Sequence, residues 1–156
     1  VDADEVTYPL HIILRYEIEK KLFSGEITVD DIPEYWNSAM LQNFNINTKN
    51  DYKNGPMQDV HWPSGAFGYF PSYTLGRMIA AQLFATFIKN HGDFPSLVTQ
   101  GKFQVLKQWL NTNVHAYGSL LGAEDLLKKV TGQALDPQFF IEHIKNVNNV
   151  NRSLNV

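Results

Sequence analysis

An all-α fold is predicted for this 156-residue chain by three observations. Its apolar residues recur at helical spacing almost throughout, the periodic runs are bounded by proline or aspartate before and glycine after, and no stretch alternates long enough to make a convincing strand. Residues 1–156 are expected to form one helical segment, with at most a short β piece at Glu26-Ile27-Thr28-Val29 or at Gln58 to Trp62. A content of 44% hydrophobic and 13% aromatic residues is ample for a core, and a chain of this length buries roughly 68–70% of its unfolded surface.

In the first helix Leu10, Leu14, Ile18 and Leu22 make an i, i+4 apolar stripe, while Asp4, Tyr8, His11 and Arg15 fall on a separate polar line. That polar line reads as a hydrogen-bonded or solvated face rather than a catalytic one. Pro9 either kinks or starts this helix, and Ser24-Gly25 ends it. Asp30 or Asp31 caps a second helix, with Ile32-Pro33 in its first turn and its end near Asn43. Asn45 to Asn54, rich in Asn and Lys, reads as a surface loop.

From Pro71 to Asn90 the sequence leaves little polar face, so a buried helix is expected there. Three further helices are expected: one around Lys102 to Asn113, one from Ser119 to Val130 ended by Gly132, and a last one opened by Asp136-Pro137. The Asn-rich tail, residues 146–156, is expected to fray.

Thirteen basic and sixteen acidic residues are scattered along the chain and give a net charge of -3, so nothing marks a nucleic-acid surface. No apolar run reaches the roughly 18 residues of a membrane span, because Gln82 and Thr86 interrupt the best candidate. The chain has no cysteine, which removes thiol chemistry and suits the cytoplasm. It opens Val1-Asp2-Ala3-Asp4 without an initiator methionine and is expected to be a piece of something longer.

Candidate chemistry concentrates between Gly55 and Gly76. Pro71 can open the buried helix, which puts Tyr73 in its first turn. The first backbone N–H groups and the helix dipole then point where the Tyr69 and Tyr73 hydroxyls point, a setting for a carboxylate or a developing oxyanion. His61, twelve residues before Tyr73 across a Pro-Ser-Gly turn, is placed to donate to the same anion. Gln58 and Asp59 either orient His61 and the backbone around a ligand or simply tie down their own loop. Trp62 reads as a packing wall, such as that of a side-chain pocket.

No metal cage is visible: the five histidines include no pair at i, i+4, and no His-Glu-x-x-His occurs. Glu142-His143 are merely adjacent on the last helix. A Gly-x-Ser-x-Gly nucleophile elbow and a Gly-rich phosphate loop are also missing from the sequence.

Three blocks carry a resemblance. Gly-x-x-Gln-Asp-x-His-Trp at Gly55 to Trp62, the run Gly65 to Gly76, and the opening Ala3-Asp4-Glu5-Val6-Thr7-Tyr8-Pro9-Leu10-His11-Ile12 occur in the order found in the M32 metallocarboxypeptidases, the thermostable carboxypeptidase family. The opening resembles the end of that family's Ile-Arg-x-x-Ala-Asp motif with the Ile-Arg cut away. The resemblance covers essentially the whole chain and implies the C-terminal third of a longer enzyme. Its fold would be the two-lobed, all-helical zinc-peptidase fold related to neurolysin and angiotensin-converting enzyme.

The resemblance further implies a zinc-dependent carboxypeptidase acting on peptide C-termini, with zinc or another divalent metal bound upstream of Val1 and no metal ligand in this chain. His61 and Tyr73 would stabilise the tetrahedral intermediate, while Tyr69, Gln58, Asp59 and Trp62 would contact or enclose the substrate. The missing N-terminal part is an expected partner, the intact enzyme is expected to be a cytoplasmic homodimer, and the 156 residues alone are expected to be inactive and to bind no metal. The competing expectation is a non-catalytic helical interaction module that has kept the sequence of a site without its function.

Overall fold

The computed structural model describes residues 4–154, in which seven α-helices and two 3-10 turns occur and no strand is present. Val1-Asp2-Ala3 and the last two residues of the tail expected to fray lie outside the described residues; up to Leu154 the backbone is helical. The chain divides into two compact units, residues 1–75 and 76–156.

In the first unit, helix α1 spans Tyr8–Ser24 and α2 spans Ile32–Phe44. Pro9 starts α1 rather than kinking it: it lies at the helix N-terminus, where its missing N–H is no loss. Just ahead, the Asp4 carboxylate accepts the Val6 and Thr7 amides at 2.8 and 2.9 Å and holds the entry turn. Helix α1 stops at Gly25, whose φ of 75° lets its amide and that of Glu26 turn back onto the Leu22 and Lys21 carbonyls.

The first expected β piece is instead a capped turn. Thr28 donates its amide and hydroxyl to Asp31 Oδ2 at 2.8 and 2.7 Å, which closes the 3-10 turn Val29–Asp31 and leads directly into α2. Leu14 and Ile18 of α1 pack on Trp36 and Met40 of α2 to make the core, with Leu22, Tyr35, Ala39 and Trp62 around it. Leu10, the first residue of the apolar stripe, is exposed. Residues 51–65, which hold the second expected β piece, run mainly through turns.

Helix α3, Pro71–His91, starts in the first unit and continues in the second. It begins at the expected proline but is not buried along most of its length: only Gln82 and Phe87 are buried, and Leu75 and Phe84 are exposed. Apolar side chains of α3 are therefore open to solvent.

The second unit holds α4 (Phe94–Thr99), α5 (Phe103–Asn113), a 3-10 turn at His115–Tyr117, α6 (Ala123–Thr131) and α7 (Gln138–Leu154). Helix α4 was not expected, and α6 begins four residues later than its expected start at Ser119. Phe87 is the hub of an aromatic cluster, with Phe94 and Trp109 edge-on at 6.1 and 5.6 Å and His91 stacked at 4.5 Å.

Gln82, fully buried, is the polar counterpart of that hub. Its Nε2 donates to Thr131 Oγ1 and to the Ala134 carbonyl at 3.1 and 3.0 Å, and its Oε1 accepts the Asp136 amide at 2.9 Å. One side chain thus pins the turn between α6 and α7 onto α3. Gln82→Leu keeps the volume and strands those backbone groups at about 1–3 kcal/mol for each one left buried and unpaired. The urea midpoint is expected to fall with an unchanged m-value; an unaltered midpoint contradicts the latch.

Candidate active site

The candidate site lies wholly in the first unit and is assembled on α1. Arg15 and Glu19 sit four residues apart, so they share one face of that helix, and both are buried. They reach the following loop instead of each other. Arg15 Nε donates to Asp59 Oδ2 at 2.5 Å, while its guanidinium lies over the Trp36 ring at 4.6 Å and its Nη1 donates to the His11 carbonyl at 2.8 Å. Glu19 accepts the Trp62 indole N–H at Oε1 and the Gly68 amide at Oε2, each at 3.0 Å. The loop carrying His61 is therefore fixed before, just after and well beyond that residue.

Gly55 opens this loop for a steric reason. A Cβ there would lie 2.6 Å from the Asp51 carbonyl oxygen, closer than atoms can approach, so only glycine fits without backbone movement. His61 then packs against the buried Phe70 ring at 4.5 Å, and its Nε2 lies 2.9 Å from the Tyr73 hydroxyl oxygen. The structure thus brings together the two residues singled out for an oxyanion. Tyr69 and Tyr8 stand edge-on to Tyr73 at 5.3 and 6.3 Å. Burial, helped by Tyr69, Tyr8 and Asp59, pushes the Tyr73 hydroxyl above its ordinary value, so at neutral pH it keeps its proton and can donate it.

The helix-end part of the expected anion site is different. The Ser72 and Tyr73 amides already donate to the Tyr69 and Phe70 carbonyls at 3.0 and 3.2 Å, and Pro71 has no N–H. The turn that launches α3 uses its own donors, so the side chains are what remain for a ligand.

The other candidates separate by position. Asp59 is half-buried and bonded to Arg15; Gln58 is exposed; Tyr69 is 52% exposed beside the His61–Tyr73 pair. Trp62 is the expected packing wall: with Leu22, Ile32, Pro56, Met57 and Phe67 it lines an apolar cavity of about 410 Å³. Arg15 belongs to the polar line Asp4, Tyr8, His11, Arg15, which is a hydrogen-bonded face here. Glu19 was missed, although it continues that line by one further i, i+4 step.

The family model described as Carboxypeptidase Taq (M32) metallopeptidase matches residues 1–147. The chain belongs to this M32 family. It is 45% identical over 146 residues to Carboxypeptidase 1 of Bacillus subtilis, covering 94% of this chain and 29% of that protein. It is 42% identical to Thermostable carboxypeptidase 1 of Thermus thermophilus, covering 93% of this chain and 28% of that one. Among solved structures, Trypanosoma cruzi metallocarboxypeptidase 1 superposes with a TM-score of 0.88 at 38% identity, covering 93% of this chain and 30% of that chain. The chain therefore spans less than a third of the length of these M32 relatives.

Membership in a metallopeptidase family implies a divalent metal in the whole enzyme. Among the described residues, no group of three or more His, Cys, Asp or Glu side chains is placed to hold a metal ion. The donors among the described residues do not make a metal cage. Also among the described residues, no helix is long and apolar enough to cross a membrane.

His11 gives the M32 segment a pH signature. Its ring stacks on Phe44 at 4.2 Å; burial, and next the Arg15 charge, lower its pKa against the opposing pull of Asp4 and Asp59. The unfolded chain consequently binds a proton at His11 before the folded chain does, so stability is full above the ordinary histidine value of about 6.5 and falls as pH drops through the lowered folded value. The melting temperature of the parent chain is expected to decline more steeply below about pH 6.5 than that of His11→Gln. Parallel curves contradict this assignment.

Proposed function

We propose that this chain is the C-terminal part of a zinc-dependent M32 carboxypeptidase that hydrolyses the C-terminal peptide bond of peptides. In this reading the chain supplies transition-state and substrate contacts, the metal ligands lie in the rest of the enzyme, and the segment alone is inactive. The observation that carries the proposal is the 2.9 Å approach of His61 Nε2 to the Tyr73 hydroxyl, in a segment whose sequence matches the family over residues 1–147.

Attack on a peptide carbonyl places negative charge on its oxygen, and donors held in advance at that position lower the barrier because they need no reorganisation. Tyr73 suits this role, because its hydroxyl is a retained donor and its position is set by its place in the first turn of α3 and by the rings around it. His61 holds that hydroxyl when no substrate is present and adds a second polar group at the same point. Tyr69 beside the pair contacts the peptide, while Gln58, Asp59 and Trp62 enclose the end of the groove that receives it. On the family resemblance, the intact enzyme is further proposed to be a cytoplasmic homodimer, with the N-terminal part completing the groove.

The test is Tyr73→Phe in an intact M32 enzyme carrying this segment. Because the donated hydrogen bond strengthens only as charge develops, kcat is expected to fall about 10²–10³-fold with KM little changed. An unchanged kcat with a raised KM moves Tyr73 to ground-state binding, and full activity removes it from the site.

A further inference from the structure

The side of His61 that faces away from Tyr73 is unusual. Its Nδ1 is buried without a hydrogen-bond partner, yet Asp59 Oδ1 stands 3.8 Å away, too far for a hydrogen bond and near enough to act through charge. The other oxygen of the same carboxylate is held by Arg15 at 2.5 Å. Arg15 is itself immobilised: its guanidinium is sandwiched by the Trp36 ring at 4.6 Å and the Phe70 ring at 5.6 Å and is tied to the His11 carbonyl.

Phe70 is also the ring against which His61 packs. One buried cation therefore sets both the carboxylate and the aromatic wall that bound the histidine.

We infer that Arg15 is a positioning residue for the His61–Tyr73 pair: by anchoring Asp59 through Oδ2 it keeps Oδ1 against the Nδ1 edge of His61 and so fixes the proton of the neutral ring on Nδ1. A carboxylate facing a ring nitrogen favours the tautomer with hydrogen on that nitrogen and disfavours a lone pair there. Nε2 then carries the lone pair and accepts the Tyr73 O–H across the 2.9 Å contact. The titratable and charged groups facing the ring are Asp59, Tyr69 and Tyr73, with Arg15 behind Asp59 and Tyr8 behind Tyr73.

This arrangement deepens the carboxypeptidase reading: Tyr73 keeps its proton and turns its O–H hydrogen bond from His61 Nε2 to a stronger acceptor, the developing oxyanion. Arg15 is not in contact with the His61–Tyr73 pair itself and acts on it through Asp59, with Phe70 as the shared wall.

The test is made on the 156-residue chain itself, without peptide, metal or turnover. Side-chain ¹⁵N spectra at about pH 8, above the ordinary histidine range, report which ring nitrogen bears hydrogen; the His61 signals are assigned by their loss in His61→Gln. The expected result is a His61 Nε2 resonance in the far-downfield position of an unprotonated nitrogen and an Nδ1 resonance upfield, the reverse of the preference of free histidine. In Arg15→Gln the unanchored carboxylate turns to water, and the population is expected to shift towards Nε2–H, as it does in Asp59→Asn.

Two outcomes overturn the inference: an Nε2–H tautomer in the parent chain, or an unchanged Nδ1–H population in folded Arg15→Gln. Should Arg15→Gln fail to fold, the parent tautomer and Asp59→Asn decide. Because no activity is read, failure here leaves the carboxypeptidase proposal standing, and failure of that proposal leaves the tautomer result intact.

Discussion

Two charged side chains buried on one face of α1 are the constraint on which the rest of the first unit depends. Arg15 and Glu19 face the same way because a helix brings residues four apart into line. Paired with each other on the surface they would contribute little, since an exposed ion pair is worth about 0–1 kcal/mol, but each is directed at the loop instead. Buried and directed at the loop, they act differently. For the Arg15–Asp59 pair, truncating one partner costs about 3–5 kcal/mol, because the other charge is left without compensation; loss of Glu19 instead leaves the Trp62 and Gly68 N–H groups without their acceptor. Such an arrangement adds little net stability and strongly penalises every other loop conformation.

That penalty explains why a segment composed mostly of turns can hold a histidine at hydrogen-bond distance from a tyrosine on a different element. Asp59 is fixed by Arg15; Trp62 and Gly68 are fixed by Glu19; His61 falls between these anchors. The aromatic rings supply the remaining restraint, with Phe70 beneath His61 and Tyr69 and Tyr8 around Tyr73. The apolar cavity beside Trp62 follows from the same anchoring, since the indole held by its N–H lines it together with Leu22 and Ile32.

Much of this was legible in the sequence, and for identifiable reasons. Pro9, Pro33 and Pro71 mark helix starts and Gly25 and Gly132 mark helix ends because proline lacks an N–H and glycine tolerates positive φ; those signals are local and survive any tertiary context. The block from Gly55 to Trp62 marked a candidate site through its residue types. Glu19 stayed hidden because periodicity sorts polar residues to the surface, and nothing local distinguishes a glutamate that caps an indole from one that meets water. Helix α4 was missed because six residues span fewer than two turns, too few for a period to register. Exposure along α3 was misjudged because apolar content gives a tendency to bury and says nothing about which neighbours are present. The Ser72 and Tyr73 amides were miscounted as free because the tight turn at Tyr69 and Phe70 is a backbone conformation, not a residue pattern.

Whether α1 holds the loop is tested most directly by hydrogen exchange at the two donors that Glu19 accepts, the Gly68 amide and the Trp62 indole N–H. Both are expected to be protected in the parent chain, and in Glu19→Ala both are expected to exchange at the rate of unstructured peptide while the α1 amides stay protected. Exchange of either donor at the unstructured rate in the parent chain, or protection that survives Glu19→Ala, would contradict the anchoring of the loop by α1.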